Sequence, residues 1–334
     1  MTGSRQVAFL FPGQGSQYPR MAAGLYGAVD VFTETMDRAF DLLGDDGAAL
    51  RHDWLSDSPG DRYDNVTVAQ PLLYAVECAL GRMVLDWGVR PAALLGHSVG
   101  EMVAATLAGV LDFDDGVRLM VDRIEHYAAS PPGGMLAVSA SAADITPFLS
   151  GTLAVAAVNA EQQTMIAGGR TELAELAETL RSNRLTCITV RAKQAFHSPV
   201  VADAAAATIA GWRTVSLSPP RVPIYSAYLG SVLDPETAVD PVFWALQPAR
   251  PVLFWPTLDA LLRDRKLLLA EIGPGRGLTT LARRHPAVRT GDVEVLNLLP
   301  VRAGTRNSEL DGARRAADRF ASDGHMRHAA VIAP

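Results

Sequence analysis

The chain has 334 residues, 49% of them hydrophobic and 20% charged, an ordinary globular composition whose length suits one large domain or two unequal ones. A net charge of −6 argues against general nucleic-acid affinity, and two cysteines, Cys78 and Cys187, offer neither a disulfide framework nor metal-ligand spacing, so both are expected as buried thiols. The apolar runs at 267–270 and 295–299 fall far short of the roughly 20 residues of a membrane span, and the N-terminus lacks the basic start and long apolar stretch of a secretory signal, so a cytoplasmic chain off the membrane is expected.

In chain order, residues 7–11 form a short apolar run broken by Pro12-Gly13-Gln14-Gly15, which predicts a buried strand entering a tight loop. Apolar residues at helical spacing follow over 70–89, and 92–95 reads as a second buried strand ending at Gly96. A long helix is predicted after Ser98. Strands alternating with helices in this way imply a mostly parallel sheet covered by helices. Pro131-Pro132-Gly133-Gly134 punctuates the chain near residue 130. Beyond it, strands at 135–140, 153–158, 164–167 and 185–190 and helices at 143–149 and 171–182 follow the order β-α-β-β-α-β, a ferredoxin-like arrangement. The alternating pattern then resumes through Ile224-Tyr225-Ser226 and 267–272, so the small unit reads as an insertion. The Arg- and Ala-rich tail after 301 predicts a surface helix or partial disorder.

The strongest chemical signal is Gly96-His97-Ser98-Val99-Gly100, between an apolar strand and a helical pattern. A tight strand-to-helix turn needs small flanking residues and leaves the serine hydroxyl exposed, with the Val99 N–H facing a developing oxyanion. By itself the pentapeptide also fits a plain strand-to-helix turn. A serine needs a base, and His197, in Gln194-Ala195-Phe196-His197-Ser198-Pro199 between a strand and a helix, has the best setting of the seven histidines. A helix-capping role would account for it equally well. His97 adjoins the serine on a tight turn and therefore points away from it. His52, His126, His285, His325 and His328 read as surface residues.

These elements together resemble the malonyl-CoA:acyl carrier protein transacylases and the acyltransferase domains of polyketide synthases. The resemblance runs from about Val7 to about Leu299, through Phe11-Pro12-Gly13-Gln14-Gly15-Ser16-Gln17, Ala69-Gln70-Pro71-Leu72, the Ser98 elbow with Glu101, Arg123, Asn159, the His197 segment, Gln247 ahead of Pro251-Val252, and Glu271-Ile272-Gly273-Pro274-Gly275. It implies Ser98 as nucleophile, His197 as general base and a carbonyl of Gln247 in place of a carboxylate to orient the histidine. It also implies the N–H groups of Gln14 and Val99 as an oxyanion hole, Gln70 beside the serine, and Arg123 as the receptor for the free carboxylate of a malonyl group. Two departures bear on the substrate. Gln194 replaces the first histidine of the His-Ala-Phe-His pattern, with Phe196 retained, and Ile124 and Met102 stand where smaller or more polar residues are common.

The combined reading is an α/β protein with a hydrolase-like, parallel-sheet core (1–130 and 197–334) and an inserted ferredoxin-like subdomain (131–196). It carries an acyl group, malonyl by preference, through Ser98 to the phosphopantetheine thiol of an acyl carrier protein in polyketide or fatty-acid biosynthesis. The donor is an acyl-CoA or an acyl-carrier protein; coenzyme A and phosphopantetheine enter only as parts of substrates, with no bound cofactor and no metal. Arg263, Arg265, Lys266, Arg283 and Arg284 are candidates for docking the carrier. Alternatives are carrier-to-carrier transfer of a specialised acyl group, hydrolysis of stalled acyl chains and, from another class, a catalytically silent carrier-docking protein.

Overall fold

The computed structural model describes residues 5–58, 60–190, 192–263, 265–300 and 306–326. Its strands, β1 (Gln6–Phe11), β2 (Ala93–Gly96), β3 (Gly134–Val138), β4 (Ala154–Ala160), β5 (Gln163–Gly168), β6 (Cys187–Val190), β7 (Ile224–Ser226), β8 (Ser231–Val232), β9 (Leu267–Glu271) and β10 (Glu294–Asn297), form two sheets. The larger has the order β10-β9-β1-β2-β7-β8 and is parallel except for β8, which pairs antiparallel with β7. Every residue of β2 and β9, and all of β1 after Gln6, is buried. Helices cover both faces of such a sheet, so its central strands need an unbroken apolar run where a half-exposed strand would alternate.

The Val66–Asp86 helix crosses over between β1 and β2. It is long and apolar enough to cross a membrane, yet 89% of its apolar window is buried inside the protein, so it is a core helix. The long helix expected after Ser98 is two helices. Val99–Ala108 ends at Gly109, which takes the left-handed conformation at φ 78°, and Phe113–Ala128 starts afresh from Asp112, whose side chain accepts the Asp114 N–H.

The small sheet, β4-β5-β3-β6, is antiparallel throughout. The Arg170–Ser182 helix buries Leu173, Leu176, Ala177 and Leu180 against Leu136, Val138 and Ile166 of this sheet, which realises the β-α-β-β-α-β order. A parallel bridge between Ala157 and Val252 ties it to the main body, with Val158 N–H donating to the Val252 carbonyl and Val252 N–H to that of Ala156, both at 2.9 Å.

Three expectations need correction. The Arg306–Ser322 helix is no surface appendage: Leu310, Ala313, Ala316, Ala317 and Phe320 are buried, and the Glu309 carboxylate accepts the N–H groups of Ala22 and Gly24. Cys187 is only half-buried, because it stands on an edge strand, whereas Cys78 is fully enclosed. His285 is buried too, packed on Trp255 and capping the Pro286–Arg289 helix. His328 and the stretches 301–305 and 327–334 lie outside the described residues.

Candidate active site

β1 and β2 lie side by side, and the loops leaving their carboxyl ends meet above the sheet, where parallel α/β folds place their sites. Ser98, two residues beyond β2, has φ 56° and ψ −120°, a conformation few non-glycine residues adopt, held by its surroundings at a cost of about 1–3 kcal/mol. The flanking glycines are sterically required. A Cβ on Gly96 would stand 2.2 Å from the Glu101 nitrogen, and one on Gly100 would stand 2.2 Å from the Phe11 carbonyl oxygen.

The Ser98 hydroxyl lies 2.8 Å from Nε2 of His197, another residue at positive φ, 63°. The His197 N–H donates to the Pro248 carbonyl at 2.6 Å, and Nδ1 donates to the Arg250 carbonyl at 3.1 Å. A carbonyl can only accept, so the proton sits on Nδ1 and Nε2 is free to take the serine proton. Burial, then the neighbouring His97, pushes the His197 pKa down to about 3, leaving the ring neutral. His97 turns away from Ser98, as expected, and donates Nε2–H to Asn159 Oδ1 at 2.9 Å.

Arg250, not Gln247, is therefore the residue whose carbonyl takes the Nδ1 hydrogen bond; the Gln247 backbone makes only a smaller contribution to the histidine's basicity. The Gln247 side chain serves elsewhere, donating to Glu101 Oε1 at 3.2 Å. Glu101 also accepts the Ser226 hydroxyl at 2.5 Å and the Ala227 N–H at 2.8 Å. Burial lifts its pKa to about 8 in spite of these three donors.

The Gly13–Gly15 loop closes the other side of the nucleophile. A Cβ on Gly13 would meet the His97 carbonyl at 2.7 Å, so the backbone approaches the elbow as no other residue could. The side chain of Gln14 is held by Gln70, whose Nε2 donates to Gln14 Oε1 at 3.0 Å, while the Gln70 Oε1 is buried without a partner. Gln14 thus borders the cavity that Ser98 lines, and Val99 opens the helix that follows the serine. Gln14, Gln70, Ser98, Asn159, Gln194, Phe196 and His197 line one cavity of about 300 Å³ between the two sheets. A second, of about 540 Å³, shares Gln14 and His97 with it and is bordered by Arg276 and Arg284.

Arg123 and Met102 do not line this cavity. Arg123 is 7% exposed. Its Nη1 contacts Met102 Sδ at 3.0 Å, its guanidinium carbon lies 5.6 Å from the centre of the Tyr127 ring, and its Nε has no acceptor. Among the described residues no carboxylate pairs with it.

The acyl transferase domain family matches residues 8–324. The chain belongs to that family. It is 35% identical over 283 residues to one of the phenolphthiocerol/phthiocerol polyketide synthase polypeptides of Mycobacterium tuberculosis, an alignment covering 85% of this chain and 19% of that synthase. The chain thus spans about a fifth of that relative. Among solved structures, the acyl transferase domain of SpnD in complex with 2-(pent-4-yn-1-yl)malonyl matches with a TM-score of 0.90 at 31% identity, over 100% of this chain and 79% of that one. A loading acyltransferase from the avermectin polyketide synthase matches at 0.81 and 27%, over 94% and 99%. FabD from Acinetobacter baumannii shares the fold at 0.80, with 24% identity over 94% of this chain and 100% of its own.

Sequence reasoning missed two residues of this acyltransferase site. Arg250 acts through a backbone carbonyl, which carries no side-chain signature. Tyr228 is 8% exposed, with its ring centre 6.0 Å from that of His197; an aromatic residue just after a strand reads as ordinary core. Three docking candidates are misplaced. Arg263, Arg265 and Lys266 lead into the amino end of β9, whereas Ser98 stands at the carboxyl ends of the strands. Arg265 instead packs over Tyr225. Of the five, Arg284 borders the second cavity and Arg283 precedes it in the chain.

Proposed function

We propose that the protein transfers a carboxylate-bearing acyl group, malonyl by preference, from a thioester donor through Ser98 to the phosphopantetheine thiol of an acyl carrier protein. The observation that supports this reading is the buried, unpaired Arg123 guanidinium together with the Ser98–His197 pair. A buried cation without a partner is costly, and a substrate carboxylate supplies the missing charge.

In the first half-reaction His197 Nε2 takes the Ser98 proton as Oγ attacks the thioester carbonyl, and the N–H groups of Gln14 and Val99 stabilise the oxyanion. The C–S bond then breaks and the departing thiolate takes the proton from Nε2. Each oxyanion donor of this kind is worth about 3 kcal/mol. In the second half-reaction the carrier thiol gives its proton to Nε2 and attacks the Ser98 ester, and collapse of that intermediate restores the serine. The neutral imidazole suits this cycle, because a thiolate leaving group does not require a strongly basic histidine. The pantetheine arm of donor and carrier would run from the cavity bordered by Arg276 and Arg284 into the one lined by Ser98, since the two meet at Gln14 and His97.

The test is intact-mass analysis after exposure to malonyl, methylmalonyl, acetyl and aminoacyl thioesters. Leaving a buried charge unpaired costs ~3 kcal/mol or more, so the wild type is expected to prefer malonyl to acetyl by a hundredfold or more. Arg123→Ala removes that preference. Better loading of a neutral or amine-bearing chain by the wild type overturns the reading.

A further inference from the structure

The backbone N–H groups that follow Gly13 have different destinations. The Ser16 N–H closes a turn on the Gly13 carbonyl at 3.2 Å, and the Ser16 hydroxyl donates to the same oxygen at 2.8 Å. The Gly15 N–H donates to Oε1 of Gln17 at 2.6 Å, with Gly15 at φ 107°, which glycine adopts without strain. Gln17 Nε2 in turn donates to Asp64 Oδ1 at 3.0 Å, tying the loop to the short Asp61–Asp64 helix that precedes the Val66–Asp86 helix. Both of those N–H groups are thereby spent inside the protein. The Gln14 N–H, just ahead of them, has no acceptor among the described residues.

A peptide group is planar and trans, so its C=O and N–H point opposite ways. The Gly13 carbonyl and the Gln14 N–H belong to one such group. Whatever grips the carbonyl therefore aims the N–H, and Ser16 grips it twice. Gln17 holds the next peptide and removes the Gly15 N–H as a competing donor. Gly13 itself abuts the elbow, since an added Cβ would stand 3.1 Å from Ser98 Cβ, and Gln14 lines the same cavity as Ser98. We propose that Ser16 and Gln17 are positioning residues for acyl transfer, which hold the Gln14 N–H aimed for the oxyanion formed on the acyl carbonyl. This rests on the transfer through Ser98 proposed above. A donor fixed in advance stabilises developing charge without having to turn at the moment of reaction, and one that swings stabilises it less. The acyl chain beyond the carbonyl takes no part, so every thioester should feel the device alike.

The test is pre-steady-state acylation of the full chain by malonyl-CoA and acetyl-CoA over a range of concentrations, followed by intact mass, for the wild type, Ser16→Ala, Ser16→Thr and Gln17→Leu. The rate constant comes from the shape of each time course, so any loss of folded protein lowers only the amplitude. Ser16→Ala and Gln17→Leu should each lower the limiting acylation rate about tenfold or more. The half-saturating donor concentration should stay within about twofold of wild type, and the malonyl-to-acetyl ratio of limiting rates should be unchanged. Ser16→Thr, which keeps the hydroxyl, should recover most of the loss. Wild-type limiting rates in Ser16→Ala and Gln17→Leu would overturn the proposal, as would a defect confined to the half-saturating concentration or a threonine variant as slow as the alanine one. If the wild type forms no adduct on Ser98 with either thioester, the transfer reading itself fails; if it does and the variants load as fast, only the orienting role fails.

Discussion

The Ser98–His197 pair leaves its stronger mark in the sequence on the serine side. Gly96 and Gly100 are dictated by backbone atoms that would stand 2.2 Å from any added Cβ, so the elbow leaves a pattern in the letters. The histidine is held by the carbonyls of Pro248 and Arg250, which any residue type supplies, whereas Gln247 stands out because the family resemblance assigns the orienting carbonyl to it. Ser98→Ala should abolish the covalent acyl adduct in intact-mass measurements while leaving the melting temperature within a few degrees of wild type, since a lone hydroxyl at a turn adds little stability. The low pKa of His197, about 3, gives a second expectation. The base is already neutral at ordinary pH, so the acylation rate should stay flat from about pH 5 to about pH 8 and fall only in stronger acid. A stopped-flow pH profile with an inflection near ~6.5, the ordinary histidine value, would contradict the burial of the ring. Stability behaves differently. Unfolded histidines titrate near ~6.5, above the folded values of both His97 and His197, so below that pH the unfolded chain binds more protons and the two rings withdraw stability as acid is added.

At the scale of elements, Glu101 joins the nucleophile helix Val99–Ala108 to two others. It accepts from Ser226 at the end of β7, from Ala227 after it, and from Gln247 in the turn whose carbonyls hold His197. Glu101→Ala strands three buried donors and should lower stability by about 3 kcal/mol or more, read as a drop in denaturation midpoint. The acyl-loading rate should fall with it, because Ser98 and the His197 carbonyls lose their common anchor. Glu101→Gln, which keeps one acceptor, should recover part of both losses. An alanine variant of wild-type stability would show that these donors find other partners. Secondary structure was legible here where periodicity was long, as in the Val66–Asp86 helix, and failed where a single residue interrupts it. Gly109 reads as one tolerated glycine in an apolar pattern, yet its left-handed backbone ends one helix and lets Asp112 start another.

For the whole molecule, both sheets were readable from strand order, because crossover connections and the β-α-β-β-α-β run leave few topologies open. What the letters could not give is which basic residues share a face with Ser98; charge is visible in sequence but sidedness is not. Of the five basic residues named as docking candidates, Arg284 borders the second cavity, beside Arg276, which sequence reasoning missed. Arg284→Glu should raise the KM for an acidic carrier protein more than that for an acyl-CoA, increasingly so at low salt, in steady-state transfer assays. Equal effects on both substrates would remove this rim from docking.

The bridge between Ala157 and Val252 has a mechanical consequence. Val252 lies two residues beyond Arg250, the holder of the imidazole, and two residues beyond Ala157 stands Asn159, the partner of His97. The small sheet thus grips both histidines by short levers. Any tilt of that sheet would act on the base itself, so the width of the cleft and the alignment of the proton acceptor are mechanically linked.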